Sequence, residues 1–277
     1  MVTALLSSLA CIATAAHISH RAQMVRAAAT RGVFDKDAAS DAADDAFFAR
    51  VVRIVAALIS LFVTSRALDL QVLIQSGSLL DWARAQSLFA WHPSAMALGM
   101  LWLFSEAWLA IRARRGLKGA ARLFQVQLHL GFVLAATVLG GFGFWAIYTN
   151  KTRAGKAHFT SYHGKVGLAA MVLMCCNLLH GLLVRGGFGS ASRSWIQWRS
   201  ALHRTLGTMA FITSLFAVAL GIVSGWGMKN LQGFQTPNAA GPTVGPYVLV
   251  LLVAVVGLCA LSYGPSERGT AGAKKEE

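Results

Sequence analysis

Six apolar stretches, near residues 48 to 65, 92 to 111, 123 to 148, 164 to 184, 202 to 226 and 244 to 263, restrict this chain more than any other feature. Each approaches or exceeds the ~20 residues that cross the hydrocarbon core of a bilayer as a helix. Inside that core each backbone N–H and C=O must be satisfied within the protein, which segments of this length achieve by coiling into helices. The expected fold is all-α, a polytopic bundle of six transmembrane helices. Composition agrees: 56% of the residues are hydrophobic and 13% charged, against roughly 25% charged in an ordinary soluble domain.

Six spans put both termini on one side, and basic residues tell which. Arg112, Arg114, Arg115, Lys118 and Arg122 lie in the second-to-third loop, Arg185, Arg193 and Arg199 in the fourth-to-fifth, and Arg50, Arg53, Arg268, Lys274 and Lys275 beside the termini. They outnumber Arg66, Arg84, Lys151, Arg153, Lys156 and Lys229 on the opposite loops. Cytoplasmic loops carry the excess of Lys and Arg, so both termini are expected in the cytoplasm. The net charge of +14 does not indicate nucleic acid, because these residues are spread through short loops instead of gathering on one face. Orientation and anionic headgroups account for them.

Residues 1–46 read as an extension before a membrane domain over 47–263, with a cytoplasmic tail at 264–277. Residues 1–34 contain no Asp or Glu and space Arg21, Arg26 and Arg31 widely, as a transit peptide does; LLSSLACIATAA also suits a signal peptide. DKDAASDAADD reads as a solvated acidic linker, and no structure is expected for 1–46 or beyond Pro265. The expected location is an endomembrane or the plasma membrane. Cys11, Cys175, Cys176 and Cys259 sit in apolar runs without disulfide or zinc spacing. No C-x-x-C-H run occurs, so any haem would be held non-covalently, as a b-type haem.

His92, His129, His163 and His203 stand near the starts of four successive spans. The second and fourth spans run in one direction and the third and fifth in the other. His92 and His163 therefore share the non-cytoplasmic face, and His129 and His203 the cytoplasmic face. Paired imidazoles are good axial ligands for haem iron and leave no open position on it, which suits electron transfer. The expectation is a four-helix core holding two bis-histidine b haems. Gly167 and Gly207 follow His163 and His203 by four residues, one turn along the same helix face, where a porphyrin edge can pack. Close helix packing explains small residues equally well. His180 lies about 25 Å of helical rise beyond His163 and is a competing second-site ligand. Histidine relays in a metal or proton transporter are an alternative of another class, and haem content separates the two.

WHPSAMALGMLWLFSEAWLAIR, GKAHFTSYHGKVGL and LHRTLGTMAFITSLFAVALGI resemble the second helix, the junction before the fourth and the fifth helix of cytochrome b561 proteins. The similarity covers about residues 47–263, and the histidine spacing is similar to the short ferrireductase branch. The resemblance implies a transmembrane oxidoreductase in which cytoplasmic ascorbate reduces one haem while the other reduces a ferric chelate or monodehydroascorbate outside. It implies the same pairing, His92 with His163 and His129 with His203. Similar proteins are often homodimers. A haem-bearing subunit of a larger redox or quinol complex is the other redox reading.

Ascorbate is an anion, so Arg112, Arg115, Lys118 and Arg122 are its candidate contacts, with membrane orientation as their alternative role. Many b561 proteins carry lysine shortly before the third-helix ligand, where this chain reads LFQVQLH. On the other face Lys156 and His158 are candidates for the acceptor, His158 also for a proton relay; a solvated loop histidine is the plain alternative. Glu106, inside LWLFSEAWLA, is an intramembrane carboxylate about 21 Å beyond His92. It is expected to hydrogen-bond near the cytoplasmic haem and to link proton uptake to reduction, with a packing hydrogen bond or Arg112 as the alternatives.

Overall fold

A computed structural model describes residues 36–69, 75, 77–114, 117, 119–184, 200–231 and 244–262. In chain order the helices are α1 (Lys36–Ala67), α2 (Leu79–Ala85), α3 (Leu88–Ala113), α4 (Gly119–Arg153), α5 (Tyr162–Val184), α6 (Ala201–Ile222), α7 (Gly225–Asn230) and α8 (Gly245–Ser262). Six of them, α1, α3, α4, α5, α6 and α8, are long and apolar enough to cross a membrane. The all-α, six-span expectation holds. One boundary differs: α1 begins at Lys36 and runs through the acidic stretch read as a linker, where Asp45 is buried.

Serines start three of the four helices that carry the paired histidines, α3, α5 and α6. Ser87 Oγ accepts the Ala90 N–H at the head of α3, Ser161 Oγ the Gly164 N–H at α5, and Ser200 Oγ the His203 N–H at α6. Each satisfies a donor that a first turn leaves without an intrahelical acceptor. In α5 and α6 the cap lies within three residues of the histidine, so it also fixes where that histidine enters the bundle.

Helices α3 and α4 pack as one pair and α5 and α6 as another, with α1 and α8 outside them. Small residues set the α3–α4 distance. A Cβ on Gly99 would stand 3.0 Å from Leu139 Cβ and 3.2 Å from the Ala136 carbonyl, and one on Gly143 would stand 3.1 Å from Ala95 Cβ. Membrane helices gain most of their association from such close packing. In α3 the segment Ala97–Leu103 widens to a π-helix, and Ser60 of α1 donates to the Ala97 carbonyl at 2.8 Å. Between the two ends of the bundle lie Met100, Leu101, Met174 and Phe211, all buried. Phe211 stacks on Trp108 at 4.9 Å and meets Phe104 edge-on.

Candidate haem site

His92 on α3 and His163 on α5 face each other, with ring centroids 5.9 Å apart and planes at 74°. The Nδ1 of His92 bonds the Gly143 carbonyl at 3.0 Å, and that of His163 bonds the Ala217 carbonyl at 2.9 Å. A ring whose Nδ1–H is donated to a carbonyl keeps Nε2 as the free lone pair, the arrangement of a metal-ligating histidine. Two imidazoles on opposite sides of one ion, with bonds of about 2 Å, have centroids about 6 Å apart, which the observed spacing matches.

Both rings line a cavity of about 370 Å³ together with Met96, Met100, Phe144, Gly167, Met171, Gly221 and Trp226. This falls in the range of roughly 300–1,000 Å³ that holds small ligands and cofactors. Gly167 opens onto it, since a Cβ there would meet nothing within 4 Å. Gly221 acts differently. Its Cβ would stand 3.0 Å from His163 Cε1, so a side chain there would press against the ring. Among the described residues no group of three or more His, Cys, Asp or Glu side chains converges to hold an ion. A haem would ask only two ligands of the protein, which His92 and His163 would supply. The first site therefore fits haem in donor set, spacing and space.

His129 on α4 and His203 on α6 line a second cavity with Arg114, Val126, Asn177 and Gly181, and His180 is not part of its lining. His129 Nδ1 bonds the Ala107 carbonyl at 2.9 Å. Counting along α3 from His92 to Ala107 puts the two sites roughly 22 Å apart. The free volume is about 80 Å³, a fraction of the first, so here the ligand chemistry fits haem and the space is narrow. His203 Nδ1 is buried without a hydrogen bond. Gly181 faces the His203 ring, its Cβ position 3.0 Å from Cε1. Gly207, expected against a porphyrin edge, meets the Asn177 side chain instead. His180 stacks near His203 at 6.2 Å and turns Nε2 to Ser200 Oγ at 3.0 Å.

His158 lies at the edge of the first cavity, stacked on Tyr148 with centroids 4.1 Å apart, its Nε2 3.2 Å from Thr152 Oγ1. Lys151 lines the same cavity and holds the loop by donating to the Ala157 carbonyl at 3.3 Å. Lys156 is exposed and outside that lining. Phe159, beside His158, has φ of 53°, a left-handed backbone that is unusual for a bulky residue. Glu106 does not meet Arg112; it pairs with Arg53 of α1 at 3.0 Å, a partner that the sequence alone does not indicate. Arg112 donates to the Leu261 carbonyl at 2.9 Å and lies over the Trp108 ring. Arg122 is half-buried on the first turns of α4, and Arg115 and Lys118 fall outside the described residues. Arg114 and Arg204 are the basic residues that line the second cavity.

Several proteins resemble the chain. Transmembrane reductase CYB561D2 of Mus musculus is 29% identical over 153 residues, 53% of this chain and 66% of that protein. Transmembrane ascorbate ferrireductase 2 of Arabidopsis thaliana is 24% identical over 204 residues, 73% of this chain and 85% of its own. Lysosomal membrane ascorbate-dependent ferrireductase CYB561A3 of Bos taurus is 30% identical over 103 residues, 37% and 38% of the two chains. The chain thus spans just under two thirds of the length of the mouse relative. The family of eukaryotic cytochrome b561 matches residues 91–227. Over that stretch, which holds His92, His129, His163 and His203, the chain belongs to the eukaryotic cytochrome b561 family.

Proposed function

We propose that this chain is a transmembrane reductase that carries electrons from cytoplasmic ascorbate to a ferric chelate or monodehydroascorbate on the other side, using two b haems. The observation that carries this reading is the matched pair of histidine sites at opposite ends of one bundle, with Nδ1 tied to a backbone carbonyl in three of the four rings. Bound haem supplies a one-electron couple at each end of the membrane. The chain's own residues hold the four imidazole rings that would take the haems, exclude water with Met100, Leu101, Met174 and Phe211, and meet the soluble reactants at each face.

His92 and His163 hold one group and His129 and His203 the other, with Gly167 leaving room at the first. At the cytoplasmic face Arg112, Arg114 and Arg122 draw in anionic ascorbate. At the opposite face Lys151 attracts the acceptor, and His158, held by Tyr148 and Thr152, contacts it or delivers a proton to the reduced product. The relatives named as an ascorbate ferrireductase and an ascorbate-dependent ferrireductase support ascorbate as donor and ferric iron as acceptor.

An absorption spectrum of the purified chain, oxidised and then mixed with ascorbate, tests the reading, with haem counted per chain and each histidine changed to alanine in turn. Two b haems that ascorbate reduces, one lost in His92→Ala or His163→Ala and the other in His129→Ala or His203→Ala, are expected. Haem that ascorbate leaves oxidised would assign the chain to a complex with another donor, and absence of haem would refute the proposal.

A further inference from the structure

Of the four ligand rings, His203 alone lacks an acceptor for Nδ1. His92, His129 and His163 each use a backbone carbonyl, from Gly143, Ala107 and Ala217. The Asn177 backbone carbonyl lies close to the His203 ring, but Nδ1 makes no well-aligned hydrogen bond with it. The same cavity contains a matching orphan, because Asn177 lines it and its side-chain Oδ1 is also buried without a partner.

The two orphans are complementary. A histidine that gives Nε2 to a metal carries its proton on Nδ1 and must donate it; a carboxamide oxygen can only accept. An unmet polar atom is costly in a protein interior, and the bilayer offers no water to relieve it. Asn177, on α5, also packs its side chain against α6. Its Nδ2 lies 3.0 Å from where a Gly207 Cβ would stand, so glycine one turn after His203 is what lets the carboxamide reach this helix. That gives Gly207 a role through Asn177, and it explains an amide in an otherwise apolar span.

We propose that Asn177 is the positioning residue of His203: its carboxamide oxygen accepts the Nδ1–H, in the place backbone carbonyls hold at the other three ligands. The inference rests on the haem reading above. A hydrogen bond at Nδ1 makes the imidazole a stronger electron donor to its metal and fixes the plane of the ring. A stronger donor favours the ferric state. Asn177 therefore lowers the midpoint potential of the haem at the second site and leaves the first unaffected.

The test is an optical redox titration of the purified full chain as wild type, Asn177→Leu and Asn177→Asp, with the low-spin ferric resonance recorded alongside. His129→Ala identifies which of the two waves belongs to the second site. Loss of the acceptor in Asn177→Leu should move that wave to higher potential, and the anionic acceptor in Asn177→Asp should move it lower. The low-spin signal of the same haem should change, and the other wave should stay in place. Two unmoved waves in both variants, or a shift confined to the His92–His163 wave, would overturn the assignment and leave the Asn177 backbone carbonyl as the partner. Wild type without haem would overturn the proposed function and this inference together, whereas two haems with unmoved waves would overturn this inference alone.

Discussion

Arg53 and Glu106 form an ion pair between the first and second spans, Nε donating to Oε2 at 3.0 Å with side chains 16% and 8% exposed. Single charges inside a membrane segment are costly, and pairing is the usual remedy. Removing one partner of a buried pair strands the other, at a cost of about 3–5 kcal/mol, while replacing both with apolar residues is often close to neutral. Arg53→Met and Glu106→Leu should each lower thermal stability in detergent, and the double variant should recover most of the loss. Single variants that melt like wild type would show that the pair is not a brace. Glu106→Gln tests the proton-uptake role: on the proposed di-haem reading, a changed pH dependence of the second haem's potential would support the relay, and an unchanged one would leave the pair as a brace alone.

Gly167 and Gly221 make opposite predictions about the same cavity. A side chain at Gly167 meets open space, so Gly167→Leu should fold with wild-type helicity yet fill the room beside His163. On the proposed function it should lose the haem assigned to His92 and His163 and retain the one assigned to the second site. Gly221→Ala should perturb the protein before haem arrives, because its Cβ presses on the His163 ring at 3.0 Å and the ring must shift from the Ala217 carbonyl. Pyridine haemochrome content with circular dichroism measures both. Full haem content in Gly167→Leu would place the cofactor elsewhere.

What the sequence reveals and hides follows from the kind of contact involved. Span number is legible because each span needs its own run of apolar residues. Histidine pairing is legible because alternate helices run in opposite directions. The acceptors at Nδ1 are not, since the carbonyls of Gly143, Ala107 and Ala217 are backbone groups and leave no trace in residue type. Gly167 and Gly207 stand out by their spacing within one helix, but Gly181 and Gly221 touch His203 and His163 from the neighbouring helix, at no fixed offset. Glu106 is conspicuous in its span, yet its partner Arg53 lies in a segment where the positive-inside rule already explains an arginine.

Ser60 reaches from α1 to the Ala97 carbonyl, where α3 enters its π-helical segment. Widening a helix leaves carbonyls without their usual N–H partners, and a hydroxyl from a neighbouring helix is one of the few donors a bilayer interior offers. Ser60→Ala keeps the packing volume nearly constant and removes that donor. The expected loss is about 1–3 kcal/mol, the cost of an unsatisfied buried acceptor. Equilibrium unfolding of detergent-solubilised protein would detect it, and an unchanged midpoint would mean that the carbonyl finds another donor.

Lys151 and Lys156 carry the same charge in the same loop region but differ in placement. Lys151 lines the first cavity beside His158, and Lys156 is exposed away from it. Attraction of an anionic acceptor weakens over a Debye length of about 8 Å at physiological salt, so the lysine at the cavity should dominate. Lys151→Ala should raise the KM for ferricyanide several-fold with little change in kcat, and Lys156→Ala should change it far less. The effect of Lys151→Ala should shrink as salt is added, because an electrostatic on-rate is already suppressed there, and should vanish for an uncharged acceptor. Equal KM effects of the two variants would mean that the loop attracts anions through its total charge, and the cavity edge formed by Lys151 and His158 would lose its claim to be the acceptor site.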